Sequence, residues 1–147
     1  ITYQDIDAQD IPFENHFDVI VFKSVLGGVG SDGGRAQVRA IEQIHKALKP
    51  GGRLLFAENL RGTIFHRAVR SYANRARKAA WHYLSFRELR SAFSPFRYHE
   101  LHSTGVLAVF GVSEAQRSAL ARIDRAALNT ITPGRWRYMG YGVAVKA

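Results

Sequence analysis

The sequence predicts an α/β fold in which a helix connects two parallel strands of one sheet. Residues 19–22 (Val-Ile-Val-Phe) and 54–57 (Leu-Leu-Phe-Ala) are continuously apolar, as expected for strands that are covered on both faces. Between them, apolar residues recur at the spacing of one helix face, and these are Val38, Ile41, Ile44 and Leu48. The helix returns the chain to the edge at which the first strand began, so the two strands are parallel. Such crossovers are right-handed.

The loops that leave these strands are the expected ligand sites. In an open α/β sheet, ligands bind outside the carboxyl ends of the strands, which here means residues 23–34 and 58–62. A turn after the helix supports the arrangement, since Pro50 presets φ and Gly51 is able to adopt the positive φ that a type II turn needs.

Composition limits the class of protein. A chain of 147 residues with 46% hydrophobic residues has the size and the core of one domain. No segment approaches the ~20 apolar residues of a membrane span, and the start does not resemble a signal peptide, so we expect no transmembrane segment and a cytoplasmic location. The chain has no Cys, so it has neither disulfides nor a thiolate metal site. A net charge of +9 favours an anionic partner.

The first segments in chain order are short. Residues 2–7 are predicted to end a strand, with Asp7 just past its carboxyl end. The glycine-rich residues 27–34 match neither the dinucleotide fingerprint nor the Walker pattern, so they are predicted to form a flexible connector. Ser31 or Asp32 would then cap the helix that follows.

The middle of the chain is predicted to be helical. Residues 63–80 form a basic helix that includes Arg67, Arg70, Arg75, Arg77 and Lys78. The aromatic residues 81–83 follow. Ser85 and Glu88 form a capping box, which predicts a second short helix that ends near Phe93.

The remaining residues alternate between strand and helix. Residues 96–111 are predicted to be a strand pair or one long strand, of which 106–110 is the buried part. Ser113 and Gln116 form another capping box. It opens a helix with an apolar stripe of Leu120, Ile123, Ala127 and Leu128. Pro133 ends this helix, and residues 136–145 form the last strand.

Three pieces of the sequence resemble one family. Residues 6–13 (IDAQDIPF), 17–20 (FDVI) and 48–52 (LKPGG), in this order and spacing, resemble the second half of class I S-adenosylmethionine-dependent methyltransferases. The resemblance implies a Rossmann-like three-layer α/β/α sandwich with a mixed sheet whose last strand is antiparallel. It also implies S-adenosylmethionine as the cofactor.

The family's glycine-rich cofactor loop does not precede Asp7 in this sequence. We therefore expect residues 1–147 to be the C-terminal portion of one methyltransferase domain, inactive alone. The edge of strand 19–22 would then be exposed, which favours self-association.

The resemblance also implies cofactor-binding residues. Asp7 would accept a hydrogen bond from the adenine amino group, and the Ala8 main chain would meet the ring. The alternative for Asp7 is a role in a turn. Lys23 and Ser24 would lie beside the methionine and sulfonium. The Lys23 amine would point away, since a second cation there is unfavourable, or it would simply be exposed to solvent.

Polar residues after the second strand are candidates for the acceptor side. Glu58 and His66 are catalytic candidates, because the pKa of histidine suits a general base near neutrality. Asn59 is the candidate substrate-binding residue. The alternatives are that Asn59 caps the next helix and that His66 is a structural or surface residue.

Methyl transfer to a small-molecule or glycan-type acceptor is the predicted function. No Asn/Asp-Pro-Pro-aromatic motif follows residues 19–22, which makes a nucleic acid base an unlikely acceptor. The alternative is a non-catalytic interaction module whose basic helix binds nucleic acid, a membrane or a protein. A nucleotide-dependent oxidoreductase is a weaker third choice.

No metal is predicted, because the histidines lie on separate predicted elements. The nearest pair, His99 and His102, has a spacing that places the two side chains on opposite faces of a strand.

Overall fold

A computed structural model describes residues 2–30, 32, 34–77 and 81–147, and in residues 73–77 it describes the backbone alone. Ser31 and Lys78 lie outside the described residues, as do the side chains of Arg75 and Arg77. The strands are β1 (Phe17–Lys23), β2 (Leu48–Asn59), β3 (Tyr98–Thr104) and β4 (Met139–Val145). The α-helices are α1 (Arg35–Ala47), α2 (Ile64–Arg77), α3 (Phe86–Ala92), α4 (Glu114–Ile123) and α5 (Asn129–Ile131).

Short helical turns connect several of these elements. A π-helical turn, Asp124–Leu128, joins α4 to α5, and 3₁₀ turns lie at Leu26–Gly28, Ala108–Phe110 and Gly134–Trp136. None of the helices in the described part of the chain is long and apolar enough to cross a bilayer.

The four strands form one mixed sheet in the order β1-β2-β4-β3. β1 and β2 are parallel, with Ile20 opposite Leu54. β4 is antiparallel to both of its neighbours. The predicted fold class, with its antiparallel last strand, is confirmed.

One face of the sheet carries the core. Phe22 and Phe56 point to this face, and α1 covers it with Ile41 and Ile44. α3 adds Leu89, which is fully buried. Burying each such side chain contributes about 1.5–3 kcal/mol. The helix stripe predicted from the sequence is packed at Ile41 and Ile44, whereas Val38 is 40% exposed and Leu48 is buried as the first residue of β2.

The opposite face of the sheet is open within the described residues. Side chains alternate along a strand, so the residues beside Phe22 point away from the core. Val19 is 50% exposed and Val21 is 70% exposed. The sequence predicted that β1 is covered on both faces, but the described residues cover only one of them.

Local signals placed several helix ends and turns correctly. Gly51 has φ 75°. Ser85 and Ser113 both form the predicted capping boxes. Asp32 Oδ1 accepts the main-chain N–H of Ala36 at 2.9 Å, although the N-cap position itself is Gly34.

The sequence prediction was wrong at four places. Residues 2–7 form no strand in the described structure. Residues 106–107 bend and Ala108–Phe110 form a 3₁₀ turn, because a buried carboxylate takes the N–H groups that a strand would pair. The α4 stripe is not buried, since Ile123 is 49% exposed. The last strand begins at Met139 because Gly134–Trp136 is a 3₁₀ turn.

Candidate active site at the carboxyl edge of the sheet

The carboxyl ends of β1 and β2 meet in a polar pair. Ser24 directly follows β1 and donates its main-chain N–H to the carbonyl of Ala57 at 2.8 Å. Its hydroxyl accepts a hydrogen bond from Asn59 Nδ2 at 2.9 Å. Ser24 has φ 55°, a left-handed conformation that is uncommon outside glycine. The structure therefore brings two predicted site residues into contact, as expected for parallel strands.

Glu58 lies beneath this pair. It is 1% exposed, and its Oε2 accepts the main-chain N–H of Leu26 at 2.7 Å. Its Oε1 accepts the N–H of Asn59 at 2.8 Å. Burial raises the pKa of Glu58 above its usual 4.5, and the main-chain hydrogen bonds oppose part of that rise. The carboxylate thus fixes the exit loop of β1 to the end of β2.

An aromatic segment covers the exit loop of β1, and none of its residues was a site candidate from the sequence. A Cβ atom at Gly27 would lie 3.0 Å from Cε3 of Trp81. The main-chain N–H of His82 donates to the carbonyl of Gly27 at 2.9 Å. Trp81 remains 41% exposed. The available signal was a Gly-Gly pair after a strand together with an aromatic run, but the pairing of the two is tertiary.

Arg70 places a cation inside the same edge. It is 9% exposed, and its guanidinium lies 4.4 Å from the ring centroid of Tyr83 and 5.7 Å from that of Tyr138. It also donates to the main-chain carbonyl of Leu60. Desolvation lowers the pKa of Arg70, but an arginine with these partners stays charged.

His66 is buried with both ring nitrogens engaged. Nδ1 accepts the main-chain N–H of Thr63 at 2.9 Å. Nε2 lies 2.7 Å from the carbonyl oxygen of Val106, so Nε2 must carry the proton. The ring stacks on Phe110 at 5.1 Å and is 1% exposed. Burial lowers the pKa of His66, which keeps the ring neutral. This arrangement favours a role in positioning.

Asp124 holds the segment that His66 contacts. Its carboxylate is 2% exposed and accepts the main-chain N–H groups of Val106, Leu107 and Ala108 at 2.9–3.1 Å. Asn129 Oδ1 accepts the N–H of Gly105 at 2.9 Å. The α4–α5 region therefore fixes the 105–110 segment against α2. The sequence analysis assigned no role to Asp124.

The predicted adenine residues lie beside an apolar cavity. Asp7 is exposed, and its Oδ1 accepts the N–H of Gln9 at 2.8 Å, which is the geometry of a turn. Ala8 lines a cavity of about 370 Å³ with Phe13 and Phe17. Val25, the residue after Ser24, lines the same cavity. The cavity thus extends to the carboxyl edge.

Lys23 lies apart from the Ser24–Asn59 pair, on the open face of the sheet. It is exposed and borders a depression of about 460 Å³ together with His102 and Tyr141. Within the described residues, no group of three or more His, Asp or Glu side chains is placed to hold a metal ion.

Comparisons with known proteins identify a matching family and a shared fold. The family described as "Methyltransferase domain" matches residues 1–56. No curated protein sequence matches the chain. Solved structures match nearly all of it at low identity. One is phosphoethanolamine N-methyltransferase 2 of Haemonchus contortus, in complex with phosphomonomethylethanolamine and S-adenosylhomocysteine (17% identity, TM-score 0.57, 95% of this chain and 36% of that one).

Two further structures show the same fold. A methyltransferase of Thermotoga maritima, described as a possible histamine N-methyltransferase, is 17% identical with a TM-score of 0.61, over 95% of this chain and 61% of that one. A structure described as the "complex between the Haloferax volcanii Trm112 methyltransferase activator and the putative methyltransferase" matches at 20% identity with a TM-score of 0.58, over 95% of this chain and 58% of that one. The chain thus spans between about a third and three fifths of these proteins. Residues 1–56 carry the methyltransferase-domain pattern, and the described residues have the fold of the class I S-adenosylmethionine-dependent methyltransferases.

Proposed function

We propose that the chain is the C-terminal portion of an S-adenosylmethionine-dependent methyltransferase that acts on a small-molecule or glycan-type acceptor. The observation that carries the proposal is the Ser24–Asn59 contact at the carboxyl edge of two parallel strands, in a chain with this fold. Ligands of open α/β sheets bind at that edge.

The cofactor side of the proposal uses the cavity beside Ala8. Its lining is apolar and includes Phe13 and Phe17, which suits a planar base. Asp7 lies next in the chain and offers a carboxylate to the exocyclic amine. Lys23 ends β1 and Ser24 follows it, and the two would flank the methionine end. S-adenosylmethionine supplies an electrophilic methyl group, so this chain has to bind and orient rather than activate.

The acceptor side is assigned to the other half of the edge. Asn59 would hold the acceptor through its amide, and Trp81 presents a half-exposed ring suited to a sugar face. Glu58 and His66 would act by positioning, since each is buried and bonded to main-chain groups. Alignment of nucleophile and methyl group, together with exclusion of water, lowers the barrier.

A preceding portion of the domain would complete the site. β1 is an edge strand of the described sheet, and its residue Val21 is 70% exposed. We propose that strands carrying the glycine-rich cofactor loop pair there. Residues 1–147 alone should therefore self-associate and bind the cofactor poorly, and light scattering that shows a stable monomer would contradict this division.

Cofactor binding is the direct test. In the intact enzyme, Asp7→Ala should weaken S-adenosylmethionine binding by about 1–3 kcal/mol, the cost of leaving a buried hydrogen-bonding partner unsatisfied. Asp10→Ala is the matched control, because Asp10 is an exposed carboxylate of the same turn. Titration calorimetry that shows equal affinity in both variants would remove Asp7 from the site, and absence of cofactor binding in the unmodified enzyme would refute the proposed function.

A further inference from the structure

Helix α2 buries two of its polar side chains and exposes its large apolar ones. His66 and Arg70 are 1% and 9% exposed. On the opposite side, Phe65 is 73% exposed and Tyr72 is 81% exposed. A surface helix of a globular protein normally shows the reverse distribution. The inner side is stable because His66 and Arg70 are hydrogen-bonded to main-chain carbonyls.

The apolar residues form a continuous surface along the helix. We call this surface the outer face of α2, and its members are Ile64, Phe65, Ala68, Val69 and Tyr72. Ile64 is 69% exposed and Val69 is 44% exposed. The face adjoins an apolar cavity of about 430 Å³, which Phe65 and Val69 line together with the 106–110 segment. Single exposed apolar residues are ordinary, but a contiguous patch of this kind marks an interaction site.

The charge around the outer face indicates the partner. The chain has 12 acidic residues, yet residues 59–87, which contain α2, include none. The same stretch of sequence carries seven cations, namely Arg61, Arg67, Arg70, Arg75, Arg77, Lys78 and Arg87. Arg70 is buried and Arg61 pairs with Glu88, whereas Arg67 and Arg87 are exposed. Arg67 is exposed on α2 itself. An apolar face within a region of one charge sign fits a partner that is both anionic and apolar.

We propose that the outer face of α2 docks on an anionic membrane surface. An interfacial helix lies in the membrane plane, with its apolar side at the boundary between headgroups and acyl chains. Phe65, Ile64 and Val69 would enter that layer, and each basic residue near the surface adds about 1 kcal/mol of attraction to anionic lipid. A nucleic acid would satisfy the cations but would leave the exposed aliphatic side chains in water, which favours the bilayer.

The test uses the intact protein and two kinds of vesicle. Sedimentation with vesicles of equimolar phosphatidylglycerol and phosphatidylcholine should pull the protein down, and added salt or pure phosphatidylcholine should weaken binding. Phe65→Ser should reduce affinity about tenfold, which corresponds to about 1.4 kcal/mol. Tyr98→Ser is the matched control, because Tyr98 is 57% exposed on β3 and should leave binding unchanged.

A second pair of variants tests the charge. Arg67→Gln should reduce binding to phosphatidylglycerol vesicles about fivefold. Arg97→Gln removes an exposed cation just before β3 and should have no effect. Circular dichroism verifies that all four variants remain folded, as expected for exposed positions.

Several outcomes would overturn the proposal. Failure of the folded protein to bind phosphatidylglycerol vesicles would do so, as would equal binding by Phe65→Ser. Binding to single-stranded RNA without binding to vesicles would assign the region to nucleic acid. A dimer that Phe65→Ser dissociates, in a protein that ignores vesicles, would assign the face to a second copy of the chain.

Discussion

Removal of the Asp124 carboxylate should destabilise the protein more than removal of any exposed acid. Asp124 is 2% exposed and holds three main-chain N–H groups. Each hydrogen bond to a charged group contributes about 1.5–3 kcal/mol, so the three set an upper bound of about 4.5–9 kcal/mol. Asp124→Ala also removes the cost of burying the carboxylate, which is several kcal/mol and offsets part of this loss. We expect Asp124→Ala to lower the free energy of unfolding by about 3 kcal/mol.

Urea unfolding measures this difference, with Asp18→Ala as the matched control. Asp18 is paired with Lys49, but its side chain is 81% exposed, so the surrounding water screens the pair. The control should therefore change stability far less than Asp124→Ala does. Asp124→Asn should fall between the two, because its amide keeps one acceptor oxygen and turns a donor toward another N–H.

Hydrogen exchange locates the effect within the structure. The amides of Val106, Leu107 and Ala108 should lose protection in Asp124→Ala, and those of β2 should change less. The reasoning fails if Asp124→Ala is as stable as Asp18→Ala, or if protection of the three amides is unaltered. Either result would show that the 105–110 segment is held by other contacts.

Three further predictions concern Glu58, His66 and Gly27. Burial raises the pKa of Glu58, so its contribution to the free energy of unfolding is fully present below pH 4.5 and is lost as the pH rises through the folded-state pKa. Glu58→Gln should abolish that decline in urea unfolding. An unchanged decline would contradict its assignment to Glu58. Burial lowers the pKa of His66, so its contribution to the free energy of unfolding is present above pH 6.5 and is lost as the pH falls through the folded-state pKa. His66→Phe should remove this loss while keeping the stack on Phe110. Equal pH profiles of the two proteins would contradict the role of His66. Gly27→Ala should displace Trp81 and shift tryptophan fluorescence. Gly28→Ala is the control and should cause no shift, because a Cβ atom there would lie 4.0 Å from the nearest Trp81 atom. Identical spectra of the two variants would show that the Trp81 ring adapts.

Some residues of the candidate site could be placed from the nearby sequence, and others could not. Ser24 and Asn59 could be placed at one edge from the sequence, because a helical crossover between two neighbouring strands makes them parallel. Their hydrogen bond is what the parallel pairing of β1 and β2 produces. Asp124 could not be recognised, because its partners are main-chain groups 16–18 residues away.

Helix α2 shows where pattern and packing disagree. Its sequence indicated a basic helix, and the backbone is helical from Ile64 to Arg77. Periodicity does not tell which side of an amphipathic helix faces inward, since both sides have the same period. The inner side was decided by buried carbonyls and aromatic rings that receive His66 and Arg70.

The sequence by itself determined the βαβ unit, its turn at Pro50–Gly51, the two capping boxes and the edge at which ligands are expected. These features depend on φ preferences, side-chain period and hydrogen bonds between near neighbours, all of which a short window contains. Only the tertiary structure decided the irregular 105–110 segment, the cover that Trp81 forms on Gly27 and the outward apolar face of α2. Each of these arises because a buried polar group or a ring has to find a partner far along the chain, and that choice is made when the elements pack together.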